Sequence, residues 1–289
     1  MSLLHVIVLA IVQGMAELLP VSSSAHVIVA EKLMGMDPAA PEMTLLLVML
    51  HTGTMFAVII YFWRRWIRAF FQNALEFKQF AVALTLATVL TGIIGGGLIE
   101  AIEKILLRDQ PHAWVEQLFQ RLDLIASALA AAGVLILIAG LTKRDSIAQS
   151  VETPEITAGQ AFWIGAVQGL CLPFRGFSRS GATISAGMLS GVPKVRAEDF
   201  SFALAIVLTP AADARELWRL IKAQQGHLGS AVHSAIGPSL LGAVFAFVAG
   251  LLALKWLSRW LEAGRWYWFG IYCLVASAAV AFLHFHFGY

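Results

Sequence analysis

Two similar stretches of sequence, about half the chain apart, decide the fold. Residues 11–26 read IVQGMAELLPVSSSAH, and residues 166–183 read AVQGLCLPFRGFSRSGAT. Each has an apolar lead-in, a Gln-Gly pair, a proline and then serines beside an ionisable side chain. Polar groups inside hydrocarbon are costly and are kept mainly for function. The duplication therefore predicts one site built from two related halves.

The sequence around these stretches is typical of an integral membrane protein. Hydrophobic residues make up 59% of the 289 residues and charged residues 13%, whereas an average soluble domain has about 25% charged residues. The net charge of +2 is too small to indicate a nucleic-acid partner. Six apolar runs approach the ~20 residues that a helix needs to cross a bilayer. These predicted spans are residues 43–63, 80–102, 122–141, 200–220, 235–257 and 266–287.

The two motif segments, residues 1–35 and 158–193, are too interrupted to cross as plain helices. Prolines and glycines are expected to break helical continuity there, at Gly14, Pro20, Pro173, Gly176 and Gly181. Irregular backbone at membrane depth is tolerated only where protein or water encloses it. We therefore expect each segment to be a re-entrant helix–loop–helix.

This arrangement predicts an all-α polytopic membrane protein with an inverted repeat. Residues 1–289 are expected to form a single integral membrane domain with halves of approximately 1–145 and 146–289. Each half has one re-entrant segment and three crossings, and an odd number of crossings inverts the second half. The two loops then enter from opposite faces and meet near the midplane. Lys and Arg are more frequent in the loops that lie inside when both termini are outside, which favours that orientation.

The first motif contains groups suited to proton transfer. Gln13 and Glu17 are four residues apart, so a helix places them on one face, where they could hold a divalent cation. Ser22 and Ser23 follow, and His26 is a base at neutral pH. Two hypotheses remain open: Ser23 attacks with His26 as general base, or His26 activates a water. Glu17 then either holds the metal or orients His26.

The second motif is typical of an anion site. Gly176, Ser178, Arg179 and Ser180 precede a predicted helix over residues 182–189, and hydroxyls, an arginine and a helix N-terminus together bind phosphate. Arg179 could instead pair with Glu17 to hold the loops together, and Arg175 could extend to the interface. The two motifs combined predict phosphoryl transfer on a lipid with a phosphate or diphosphate head.

These motifs resemble those of bacterial undecaprenyl-diphosphate phosphatase, the bacitracin-resistance family. The matching segments are residues 13–26 and 176–183, and the resemblance covers nearly the whole chain. It implies hydrolysis of undecaprenyl diphosphate to the monophosphate and phosphate, which recycles the lipid carrier for peptidoglycan synthesis. Carried over by position, the implied site residues are Glu17, Ser22, Ser23, His26, Arg179, Ser180 and Thr183.

The resemblance also implies the setting of this reaction. The expected cofactor is a divalent cation, Mg²⁺ or Ca²⁺, and the expected location is the bacterial inner membrane with a site open to the periplasm. Bilayer lipids surround the protein, bacitracin competes by binding the substrate, and a homodimer is possible. Two departures from the family pattern are Gln13, where many members have glutamate, and Arg175 directly before Gly176.

Two polar side chains inside predicted spans have simpler interpretations. His51 is expected to be a hydrogen-bonded contact between helices, and Asp213 to pair with Arg215 or Lys222 near the surface. The alternative function is a transporter or flippase of a phosphorylated polyprenyl lipid, because inverted repeats are also typical of transporters. Transport of an anion needs no nucleophile with a base, so the serine, histidine and glutamate of the first motif favour an enzyme.

Overall fold

The structure, a computed structural model, consists of helices joined by loops, without β-strands, in the residues that it describes, which are 2–38, 40–71, 73–106, 118, 121–142, 156–223 and 230–287. A short π-helix, Ile102–Leu106, follows the fourth α-helix. The α-helices of this described part are α1 (Leu3–Leu18), α2 (Ser23–Leu33), α3 (Pro41–Phe70), α4 (Ala74–Ala101), α5 (Leu122–Leu141), α6 (Ala158–Cys171), α7 (Arg179–Leu189), α8 (Lys194–Ala223), α9 (Ser230–Glu262) and α10 (Tyr267–Phe287).

Five of these helices are long and apolar enough to cross a membrane: α3, α4 with its π-helical end, α5, α9 and α10. Their exposed positions include Ile93, Val244 and Val275, and side chains of this kind belong against lipid tails. The protein is therefore a multi-pass membrane protein. The predicted span 200–220 lies within α8, which is helical but does not meet the same criteria, because charged residues lie toward both ends of this helix, at 194–199 and 213–222.

The two motif segments form helix–loop–helix pairs, as predicted. Helix α1 packs against α2, and α6 packs against α7. Each of these helices has 16 residues or fewer, which is short for a span. The expected breaks at Gly14 and Gly181 are wrong, since Gly14 lies inside α1 and Gly181 inside α7. The re-entrant path of the two pairs stays a prediction.

The chain divides into two compact units that interleave along the sequence. Unit 1 comprises Met1–Leu19, Ser23–Phe62 and Ala205–Leu257, and unit 2 comprises Pro20–Ser22, Trp63–Leu204 and Ser258–Tyr289. Each unit thus takes elements from both halves of the sequence. The single domain with inverted halves stays a prediction.

Small residues let the helices of unit 1 approach closely. A Cβ at Gly14 of α1 would lie 2.6 Å from the carbonyl oxygen of Ala246 in α9, and one at Gly53 of α3 would overlap that of Ala243. In a membrane, close backbone packing of this kind replaces much of the hydrophobic driving force. Glycines at these positions therefore fix α1 and α3 against α9.

Unit 2 contains a buried ion cluster at the ends of three helices. Arg65 of α3 donates from Nε to Asp199 (2.5 Å) and from its terminal nitrogen to Glu198 (2.7 Å), both in α8. Ser258 of α9 donates to the other oxygen of Glu198 at 2.7 Å. The two carboxylates are almost fully buried, so loss of the arginine would leave uncompensated charge at a cost of about 3–5 kcal/mol.

Candidate active site

In unit 1, the end of α1 presents a carboxylate to the start of α2. Glu17 Oε2 accepts a hydrogen bond from Ser23 Oγ at 2.5 Å and another from Gln13 Nε2 at 3.2 Å. The prediction that Gln13 and Glu17 share one helical face is therefore confirmed. Glu17 is 18% exposed, so the carboxylate is accessible without being fully hydrated.

The break between α1 and α2 produces this contact. Helix α1 ends with Leu19 in an extended conformation, and α2 begins at Ser23. Between them, Ser22 adopts a left-handed backbone with φ 68° and is buried. A non-glycine residue in that region costs about 1 kcal/mol or more, and such strain concentrates at functional sites. The turn brings the Ser23 hydroxyl back to Glu17 on the preceding helix.

Two further side chains of unit 1 extend this cluster. His51 of α3 has its Nε2 4.0 Å from Glu17 Oε2, and its Nδ1 lies 3.3 Å from Asp213 Oδ1 of α8. The contact of His51 with α8 agrees with its predicted role as a contact between helices. The partner predicted for Asp213 was Arg215 or Lys222, so its pairing with His51 was missed. The available signal was that both are ionisable groups inside apolar helices.

In unit 2, the first turn of α7 carries most of the predicted phosphate-binding residues. The helix begins at Arg179, earlier than predicted, and Ser178 is its N-cap, with Oγ accepting from the Gly181 N–H at 3.2 Å. Ser178 and Ser180 are buried, whereas Arg179 is partly exposed. A hydroxyl cap, an arginine and a helix N-terminus together are the parts of an anion site.

The turn of the first motif also lies against α7. A Cβ at Gly181 would be 3.2 Å from Pro20 Cβ, and Cys273 of α10 donates from Sγ to the Pro20 carbonyl at 3.4 Å. Pro20 and Ser22 thus belong to the same unit as α7. The structure thereby brings Ser22 into one unit with Gly176, Ser178, Arg179, Ser180 and Thr183.

Thr183 is a predicted phosphate ligand whose hydroxyl already makes contacts within the protein. It is fully buried, its Oγ1 donates to the Arg179 carbonyl at 2.9 Å, and it lies 2.6 Å from Ser201 Oγ of α8. This arrangement gives Thr183 a role in holding α7 against α8. Its contact with phosphate stays a prediction, as do the assigned roles of Ser22, His26 and Ser180.

Gly176 is required by the backbone of the second motif. Its φ is +102°, and a Cβ there would lie 2.5 Å from the Ile125 carbonyl oxygen of α5. We expect Gly176→Ala to lower the melting temperature in detergent by several degrees, because the strained conformation and the collision together cost about 1–3 kcal/mol. Gly159→Ala, at a helical position with open space around it, is the matched control. An equal melting temperature for both variants would contradict this prediction.

Glu17 and Gln13 are the side chains predicted to hold a divalent cation. The described residues contain no group of three or more His, Cys, Asp or Glu side chains arranged to hold a metal. A carboxylate and an amide oxygen, from Glu17 and Gln13, are nevertheless hard donors of the kind that Mg²⁺ and Ca²⁺ take. Because Gln13 presents its Nε2 to Glu17 Oε2, a bound cation would need the amide turned to offer its oxygen, and it would need further ligands from outside this pair.

Comparison with known proteins identifies the family of this chain. The model of the family described as bacitracin resistance protein BacA matches residues 6–279. The chain belongs to this family. It is 56% identical over 284 residues to Undecaprenyl-diphosphatase 2 of Acinetobacter baylyi, with 97% of each chain covered. It is 35% identical to Undecaprenyl-diphosphatase 2 of Burkholderia orbicola, over 96% of this chain and 95% of that one. The BacA match covers α1 from residue 6 onward and the whole of α2, α6 and α7.

Proposed function

We propose that this protein hydrolyses undecaprenyl diphosphate to undecaprenyl phosphate and inorganic phosphate. The observation that carries the proposal is the hydrogen bond from Ser23 Oγ to Glu17 Oε2 in a membrane protein of the BacA family. A serine whose proton already points at a carboxylate is the arrangement that a nucleophile needs. The names of the relatives supply the substrate class.

In this proposal, Ser23 Oγ attacks the terminal phosphorus of the lipid diphosphate. The Oγ–P bond forms, the bridging P–O bond breaks, and undecaprenyl phosphate leaves as an oxyanion while the serine proton moves to Glu17. A water then attacks the phosphoserine and the Oγ–P bond breaks. Ser23 regains the proton from Glu17, and inorganic phosphate departs with the protons of the water. The sequence favoured His26 as the base, whereas in the structure Glu17 Oε2 accepts the hydrogen bond of Ser23 Oγ at 2.5 Å. Direct attack by a water remains the competing route.

Phosphate binding is assigned to the residues at the start of α7. Arg179 supplies positive charge, and Ser178 and Ser180 supply hydroxyls beside the helix N-terminus, where the helix dipole favours anions. Phosphoryl transfer depends mainly on positioning and on neutralising charge on the equatorial oxygens. In this proposal, Glu17 and Ser23 of α1 and α2 carry out the proton transfer, and the residues at the start of α7 bind the negatively charged phosphate.

We also propose a divalent cation and a cellular setting. Glu17 and Gln13 would hold Mg²⁺ or Ca²⁺, which would neutralise diphosphate charge when bound. The protein would lie in the bacterial inner membrane with both termini and the site on the periplasmic side. There it would return the lipid carrier to peptidoglycan synthesis and compete with bacitracin for the substrate.

One assay tests the enzyme proposal against transport. Purified protein in detergent is given undecaprenyl diphosphate, and inorganic phosphate is measured with Mg²⁺ or Ca²⁺, with EDTA, and with EDTA followed by excess metal. We expect release that EDTA suppresses by at least about tenfold and that added metal restores. A folded sample that releases no phosphate but moves the labelled lipid across vesicle bilayers would overturn hydrolysis in favour of a flippase. Release that EDTA leaves unchanged would remove the cation from the proposal.

A further inference from the structure

His51 and Asp213 are two ionisable side chains of unit 1 that lie close to Glu17 and that the proposed reaction does not use. They come from α3 and α8, far from the first motif in sequence. His51 lies between two carboxylates, with Nδ1 3.3 Å from Asp213 Oδ1 and Nε2 4.0 Å from Glu17 Oε2. All three side chains are only 13–29% exposed, so their interactions are weakly screened by solvent.

We propose that His51, held in place by Asp213, positions the Glu17 carboxylate to accept the proton of Ser23. This inference rests on the proposed function and deepens it by adding two positioning residues to the site. The order of contacts is Asp213, His51, Glu17, Ser23, with consecutive separations of 3.3, 4.0 and 2.5 Å. The histidine acts through Glu17, and the aspartate acts through the histidine.

The first step of the argument concerns the Glu17 carboxylate. Its Oε2 is the atom that faces Ser23, Gln13 and His51 together. A glutamate has three side-chain torsions, and a base must be aimed at its proton within a few tenths of an ångström to be effective. Gln13 approaches from the same helix, whereas His51 approaches from a different helix. The histidine thus restrains the carboxylate in a direction that α1 alone does not.

The second step concerns the imidazole ring. A histidine that presents one ring nitrogen to its target usually has the other fixed by a carboxylate, which sets the ring orientation. Asp213 occupies that place here, beside Nδ1. It lies one helical turn after Pro210, within α8. Removing Asp213 would leave the ring free to rotate away from Glu17.

The third step concerns the frame that carries these groups. A side chain can position another only if its own backbone is held. Gly53, two residues after His51, packs against Ala243 of α9 so tightly that a Cβ would overlap the carbonyl oxygen. Gly250 of the same α9 lies against Leu18, next to Glu17, and against Ala57 of α3. Helices α1 and α3 thus both pack closely against α9, and this packing fixes the distance between Glu17 and His51.

The test is steady-state kinetics of phosphate release from undecaprenyl diphosphate by the full chain in detergent. We expect His51→Ala and Asp213→Ala each to lower kcat by about 10–100-fold with KM within about threefold of wild type, because a misaimed base slows chemistry without removing substrate contacts. The double variant should be no slower than His51→Ala alone, since Asp213 acts through the histidine. In a Glu17→Gln background, His51→Ala should change kcat by less than about twofold.

Controls separate positioning from folding. His233→Ala removes an exposed histidine of α9 and should leave kcat at the wild-type value. His51→Gln keeps an N–H donor of similar reach and should recover most of the activity that His51→Ala loses, which also covers the case in which the alanine variant does not fold. A kcat within about twofold of wild type in folded His51→Ala would overturn the inference. So would losses that multiply in the double variant, or a change confined to KM. If wild type itself releases no phosphate, the proposed function fails instead.

Discussion

Ser23→Ala is expected to reduce phosphate release from undecaprenyl diphosphate by about 10⁴-fold or more. The reason is that the alanine removes the attacking oxygen together with the proton that Glu17 accepts at 2.5 Å, and nucleophile variants of comparable hydrolases lose activity on this scale. A water could still reach the phosphorus, so a small residual rate is expected. The measurement is the initial rate of phosphate release at saturating substrate.

The neighbouring serine provides the matched control. Ser24→Ala changes the next hydroxyl along α2 and is expected to keep kcat within about tenfold of wild type, because it leaves the Ser23 hydroxyl and its hydrogen bond to Glu17 in place. Substrate labelled in its terminal phosphate should also leave label on Ser23 when the reaction is quenched early. Full activity in Ser23→Ala would refute the serine route and leave the attack of a water. A label found on another residue would refute it equally.

Most of the helices could be predicted from the sequence, because long apolar runs and breaks at proline are local signals. The span predicted at 122–141 has the same bounds as α5. The expected breaks at Gly14 and Gly181 were wrong for one physical reason. A glycine in a membrane helix also serves close packing, and both residues pack in this way, Gly14 against α9 and Gly181 against Ile136 and Pro20.

The two copies of the repeat show that a local sequence pattern does not determine which residue a side chain contacts. Gln13 and Gln168 occupy equivalent places in the two motifs, yet Gln13 donates to Glu17 while Gln168 donates to Thr91 of α4 at 3.0 Å. Glu17 lies four residues after Gln13, and the residue four after Gln168 is Leu172. The second glutamine therefore joins α6 to α4. The same Gln-Gly pair thus contains a glutamine that hydrogen-bonds a carboxylate in the first motif and a glutamine that links two packed helices in the second.

The candidate site was predictable only where its members are close in sequence. Helical spacing was enough to place Gln13 beside Glu17. The partner of Ser23 depends on the turn at Ser22, whose left-handed backbone no sequence rule predicts for a serine. His51 and Asp213 meet through the packing of α3 and α8, which the single sequence does not encode in any short pattern. Tertiary contacts of this kind had to be seen in the structure.

The second large effect is expected at Arg179. Arg179→Ala should lower kcat/KM for undecaprenyl diphosphate by about 10³-fold or more, because an arginine that neutralises charge on a transferring phosphoryl group contributes on that scale. Arg179→Lys should recover only part of the loss, since an ammonium keeps the charge but not the planar pair of donors. The measurements are kcat and KM, with inorganic phosphate as a competitive inhibitor to report anion affinity.

Arg175→Ala is the matched control for Arg179→Ala. Arg175 lies four residues earlier, in the loop between α6 and α7 and outside the first turn of α7, so its removal should cost no more than about tenfold. If Arg179 only held the loops together, its alanine variant would lose melting temperature and activity together, and lysine would restore both. A stable Arg179→Ala variant with weakened inhibition by phosphate is instead the signature of an anion ligand. Unchanged inhibition by phosphate in that variant would show that the charge is bound elsewhere.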